Sequence, residues 1–314
     1  MPIFLEISEL IRALGFPGSD VMFLVSLALL GTIILTVRAG VTYWSAVIAL
    51  VGVPLVYAIT SRRAELALTA FSIACFFALL KSEYVSSGVS LALRFAVFIV
   101  FVTASYFLVI GEPIYYQSTF NSIFESANAF VYYVLLTACM IAFVLRSVFV
   151  TATLATPLAL IQTKSVVILA ISNRMTAFVA LLMLYPLYLL ISSVGRISWF
   201  LSEYGVLYAL GAGRIQRFID RAASTFTVDM LIFGSPFPVD AENFEIEFVD
   251  FAHDFGLLYT VVFFVACFSM LRQAVSDHFM QLAAVFVLLN LAGHFWNNPL
   301  LIVAFVALVH YVGN

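Results

Sequence analysis

Charge is scarce in this sequence. Only 10% of its 314 residues are Asp, Glu, Lys or Arg, and 64% are hydrophobic. Soluble domains are about half apolar and about a quarter charged, so an ordinary soluble domain is excluded. Lysine is nearly missing: Lys81 and Lys164 are the only two among fourteen basic residues. The formal net charge of −3 provides no basic face for nucleic acid. Cysteine is equally sparse, and Cys75, Cys139 and Cys267 all lie in apolar runs. They read as small core hydrophobes, which excludes a disulfide framework. No pair of histidines has metal-ligand spacing, so no protein-bound metal is expected. Internal repeats and low-complexity tracts are absent. So is a charged start leading to a small-residue cleavage site. MPIFLEISELIRALGF reads instead as a short amphipathic helix on a membrane surface.

Long apolar runs take up the rest. A spanning helix needs about 20 mostly apolar residues. Runs at 20–37, 42–59, 64–80, 88–110, 129–145, 147–172, 175–194, 256–271, 278–292 and 297–313 give about ten spans. The expected fold class is all-α: a polytopic transmembrane helical bundle, forming one integral membrane domain over 1–314. Lys164 and Arg174 interrupt 147–194, and a break at either leaves the same number of crossings. Arg94 can snorkel from a helix start, and Arg174 reads as a helix end. With the N-terminus inside, Arg12, Arg62, Arg63, Arg174 and Arg272 fall on the cytoplasmic side, with Arg38, Lys81 and Arg146 outside. This places the one long hydrophilic stretch, 195–255, on the outer face as a large periplasmic loop containing amphipathic helices. The short loop GHFWNNP at 293–299 falls on the same face.

Polar residues gather in and around that loop. In RIQRFIDRA, Arg214, Arg217 and Arg221 stand at i, i+3 and i+7, one stripe on a helix. Such a stripe can bind phosphate oxygens bidentately, or simply touch lipid headgroups. Arg196 follows the end of a span, either as an interface anchor beside Trp199 or as a diphosphate ligand. In NFEIEFVDFAHDFG, a helix would set Glu247, Asp250 and Asp254 on one face, with Phe244, Phe248, Phe251 and Phe255 on another. Carboxylates that close raise one another's pKa, as general-base chemistry requires. Acids at the N-terminus of a helix also suit its dipole. In LNLAGHFWNNP, Asn290 and His294 are polar residues at the end of a span, and therefore functional candidates. Of the histidines, His294 is favoured over His253, with His278 and His310 reading as interface residues.

Five of these segments together resemble the bacterial polysaccharide polymerase and O-antigen ligase superfamily. SNRMTAF at 172–178 resembles a Ser-Arg segment ahead of a span. GRISWF at 195–200 resembles the start of the periplasmic loop, and LIFGSPF at 231–237 that loop's Phe-Gly turn. ENFEIEFVDFAHDFG at 242–256 is similar to the acidic lead into the next span, and GHFWNNP to a Gly-His near the penultimate helix. The ligase branch carries a histidine where this chain has Glu245, and a second glycine where it has Tyr259. Both departures favour the Wzy-type polymerase branch.

The resemblance implies a GT-C-like enzyme of the bacterial inner membrane with its active face periplasmic. It would transfer glycan from an undecaprenyl-diphosphate carrier to a lipid-linked repeat unit, with neither cofactor nor obligatory metal. It implies Glu245, Glu247, His294 and Arg196 as catalytic residues. Arg214, Arg217, Arg221, Asp250, Asp254 and Asn290 would bind substrate. The implied partners are the lipid-linked oligosaccharide, membrane lipid, a chain-length regulator and a flippase, without nucleic acid. A ligase of the same superfamily is the nearest alternative. A flippase or transporter is a third reading, though it lacks the paired, broken helices of two matching halves.

Overall fold

The computed structural model describes residues 37–61, 64–81, 228–235, 246–291 and 295–313, with the isolated positions 28, 31, 35, 136, 202–205, 216, 218–220 and 244. Among the described residues the regular structure is helical and no strand occurs. The expected spans at 20–37, 88–110, 129–145, 147–172 and 175–194 lie outside the described residues apart from single positions. So does the amphipathic reading of residues 1–16.

Seven helices are described. Helix α1, Val41–Ser61, begins just after Gly40 and contains Pro54. The hydroxyls of Thr60 and Ser61 turn back onto the carbonyls of Val56 and Tyr57 as it ends. Helix α2, Ala64–Leu80, carries Glu65 in its first turn, where a carboxylate suits the helix dipole. A two-residue connection brings α2 back along α1, and the Tyr43 hydroxyl donates to the Phe77 carbonyl. Helix α3 is the short Val228–Phe233, α4 is Glu247–Phe255 and α5 is Leu257–Ala274. Helix α6, Phe279–Asn290, and helix α7, Pro299–Gly313, complete the set. Asn298 caps α7 by accepting the N–H groups of Leu300 and Leu301, and Pro299 takes the first helical position.

Helices α1 and α5 are long and apolar enough to cross a membrane, at 21 and 18 residues. Their outer faces are apolar and open: Ile48 is 66% exposed and Val265 62%. Expected spans 278–292 and 297–313 appear as helices of only 12 and 15 residues, shorter than a full crossing needs. Helix α7 is buried on every side from Pro299 to Val309. A helix apolar all round belongs inside a structure rather than at its edge, and α7 lies against α2. His310 ties the pair together by bonding the Leu79 carbonyl at 2.8 Å.

Candidate functional site

The local sequence makes α4 amphipathic, and its aromatic edge decides where it goes. Gly256, with φ +86°, breaks the chain between α4 and α5. Helix α4 then doubles back along α5. Phe248 meets Phe264 at 4.2 Å between ring centroids, eight residues to either side of Gly256. Phe251 stacks on Phe263 at 5.0 Å, and Phe255 packs on Tyr259 at 5.3 Å. At about 1.5 Å per residue, the N-terminus of α4 lies roughly 12 Å along α5 from the glycine. Both Phe251 and Phe263 reach Trp296, which is fully buried in the turn before α7.

This fold-back changes the setting of the acidic face. Glu247 is only 5% exposed at the deep end of α4. Its Oε1 accepts the Phe295 N–H at 2.7 Å, and the Trp296 N–H is directed at the same carboxyl. Burial pushes Glu247 up to about 8, Asp250 and Asp254 add to the rise, and the two N–H groups oppose it. Asp250 accepts the N–H of Phe244 at 2.8 Å through Oδ1 and that of Ile246 at 3.1 Å through Oδ2. Burial pushes Asp250 up to about 7, and the two N–H bonds and His253 pull the other way. The expected helix over 243–255 therefore starts at Glu247, because Asp250 reaches back over the residues before it. Asp254 keeps 14% of its side chain open and lies 3.0 Å from Nδ1 of His253.

Asn290 ends α6 and is completely buried. It donates to the Phe286 carbonyl and accepts the Trp296 indole N–H, both at 2.8 Å. Its observed bonds thus fasten Trp296 to α6. Phe295 and Trp296 of the turn before α7 are internal. A large aromatic pair gains more from the Phe76, Phe263 and Phe286 rings than from exposure. His278 bonds Gln281 at the start of α6.

Glu245, His294, Arg196, Arg214, Arg217 and Arg221 lie outside the described residues. Sequence connectivity still places Glu245 between Phe244 and Ile246, and His294 immediately before Phe295. Thus the structure brings Glu247 and Asn290 to the turn 295–298 and sets Asp250 on the lead into α4, with Asp254 one turn further along α4.

Three features went unread in the sequence. Thr69, in the apolar α2, donates to Asn297 Oδ1 at 2.5 Å and ties α2 to the same turn. Thr69 and Ser72 at i and i+3 in an otherwise apolar run were the signal for it. The two Phe-Gly pairs, 233–234 and 255–256, cross backbone to backbone. A Cβ on Gly234 would lie 2.3 Å from the Asp254 carbonyl oxygen, and one on Gly256 2.3 Å from that of Ile232. The Ser235 N–H donates to the His253 carbonyl at 2.7 Å. Tyr57 of α1 covers this crossing, donating to the Phe233 carbonyl and packing on Phe255 at 5.8 Å.

Among known proteins no family model, no curated protein and no solved structure matches this chain. Among the described residues, the fold and site define a helical protein with two helices fit to cross a membrane. Its buried carboxyl, Glu247, is fastened to a backbone amide in the turn between α6 and α7.

Proposed function

We propose that this chain is an inner-membrane glycan polymerase working on lipid-linked substrates at the periplasmic face. The observation that carries this reading is the hydrogen bond from the Phe295 N–H to Glu247. It joins two segments separate in sequence, the acidic helix α4 that leads into α5 and the turn after His294. Both were singled out by their resemblance to the polymerase family. The exposed apolar faces of α1 and α5 favour a membrane setting, since a contiguous apolar surface of that kind is unsuited to water.

In this reading an acceptor sugar hydroxyl attacks the anomeric carbon of the donor glycan. The bond from that carbon to the diphosphate oxygen breaks, and undecaprenyl diphosphate leaves. Glu245 or His294 takes the hydroxyl proton. Arg196, Arg214, Arg217 and Arg221 supply the cations for the negative charge that develops on the leaving diphosphate. Asp254, the carboxylate with an open edge, hydrogen-bonds sugar hydroxyls. Glu247 is buried on backbone donors and is left out of the proton transfer.

The test is polymer length in cells lacking the gene, complemented with wild type or Glu245→Ala. Accumulation of single lipid-linked repeat units in both the null and the variant is the expected result. Normal polymer in the null would end the polymerase reading. Finished polymer left on its carrier would mean a ligase, and repeat units held on the cytoplasmic face a flippase.

A further inference from the structure

A buried carboxyl, Glu247, and a partly buried one, Asp250, do the same thing within one turn of α4. Asp250 holds the N–H groups of Phe244 and Ile246, which flank Glu245 in the chain. Glu247 holds the N–H of Phe295, next to His294 in the chain, and faces that of Trp296. Backbone amides in a turn have few alternative acceptors once buried, and an unpaired one is costly. Phe295 and Trp296 are fully buried, and no described side chain other than Glu247 bonds the Phe295 N–H. The rest of the turn is tied elsewhere: Asn290 takes the Trp296 indole, Thr69 bonds Asn297, and Asn298 caps α7. Those three bonds hold the turn to α6, α2 and α7. Among the described residues, Glu247 supplies the hydrogen bond that links it to α4.

We propose that Glu247 and Asp250 are positioning residues. Their carboxyls clamp Phe244 and Ile246, which flank Glu245 in the chain, and Phe295, which follows His294, to the deep end of α4. The inference rests on the polymerase reading for the roles of Glu245 and His294. The clamp itself does not depend on that reading. A glutamine at 247 still presents a side-chain oxygen to the Phe295 N–H, and alanine presents none. A base at 247 would be lost equally in both.

The experiment pairs two readouts on the full-length protein. The first is hydrogen exchange of peptides covering 291–298 and 243–250, measured in detergent. The second is polymer yield in complemented null cells, with its pH profile. For Glu247→Gln we expect protected amides, polymer within about threefold of wild type, and an unchanged pH profile. For Glu247→Ala we expect faster exchange at 291–298 and a loss of about tenfold or more, as when a buried donor loses its acceptor. Asp250→Ala should release the 243–250 peptide in the same way, with Asp250→Asn intermediate. Should the alanine variant fail to accumulate, the glutamine arm decides alone. Inactive Glu247→Gln with protected amides would make Glu247 chemically essential and overturn the proposal. Faster exchange in Glu247→Ala with full polymer would overturn it as well. Normal polymer in the null strain would instead remove the polymerase reading, while the exchange data would still report on the clamp.

Discussion

At the scale of single residues, burial has the largest consequence at Glu247. Its folded-state pKa is raised to about 8 from an ordinary value of 4.5, so the folded protein holds this proton more tightly than the unfolded chain. Stability from this group is therefore full below about 4.5 and is lost as pH rises towards about 8. Asp250, raised from 3.8 to about 7, acts in the same direction over a lower window. The unfolding temperature of the detergent-solubilised protein should fall across that range. Glu247→Gln, which cannot ionise, should flatten the fall. An unfolding temperature that rises with pH in the wild type would show that the carboxyl is charged and hydrated in the folded state. The same residue shows how burial redirects a side chain. Its position on an acidic helical face is evident from spacing, but its amide partner lies 48 residues away.

Among elements, the junction of α3, α4 and α5 depends on two glycines. Gly234 and Gly256 have φ of +75° and +86°. A side chain there meets strain of roughly 1–3 kcal/mol from the positive-φ backbone alone. The overlap with a carbonyl oxygen at 2.3 Å adds to that at either site. Gly234→Ala and Gly256→Ala should each sharply lower the amount of folded protein and its unfolding temperature. Gly52→Ala, with nothing within 4 Å of the added carbon, should be tolerated. Equal behaviour of all three in a thermal-shift measurement would mean that the backbones do not cross this closely. The Met230 carbonyl accepts the Gly234 N–H and the His253 carbonyl accepts the Ser235 N–H, so the end of α3 is fastened to the end of α4 beside Gly256.

For the whole molecule, the question is which apolar surface faces lipid and which faces protein. Helix α7 is buried from Pro299 to Val309, whereas only 17% of the apolar span of α1 is buried. Placing a charge on an outer face tests the difference. Ile48→Lys and Val265→Lys should each cost about 2.5–3.5 kcal/mol of insertion free energy if those faces meet hydrocarbon near the helix centre. Less protein should then remain in the alkaline-washed membrane fraction. In a protein that exposed these faces to water, the same lysines would improve solubility, and the fractionation would move the other way.

Much was already determined by the sequence alone. Apolar runs placed α1, α2, α5, α6 and α7 close to their observed positions. The i, i+3, i+7 spacing set the carboxylates of α4 on one face. These are local properties, since helix formation and capping depend on neighbours within a few residues. Only the tertiary structure decided that α4 folds back along α5, and that Phe295 and Trp296 turn inward. The same holds for Thr69 as a partner of that turn and for the crossing of the two Phe-Gly pairs. Each joins residues tens to hundreds of positions apart. Periodicity shows which face of a helix is apolar but not which other helix will cover it, because that depends on how aromatic rings from distant segments fill one shared core.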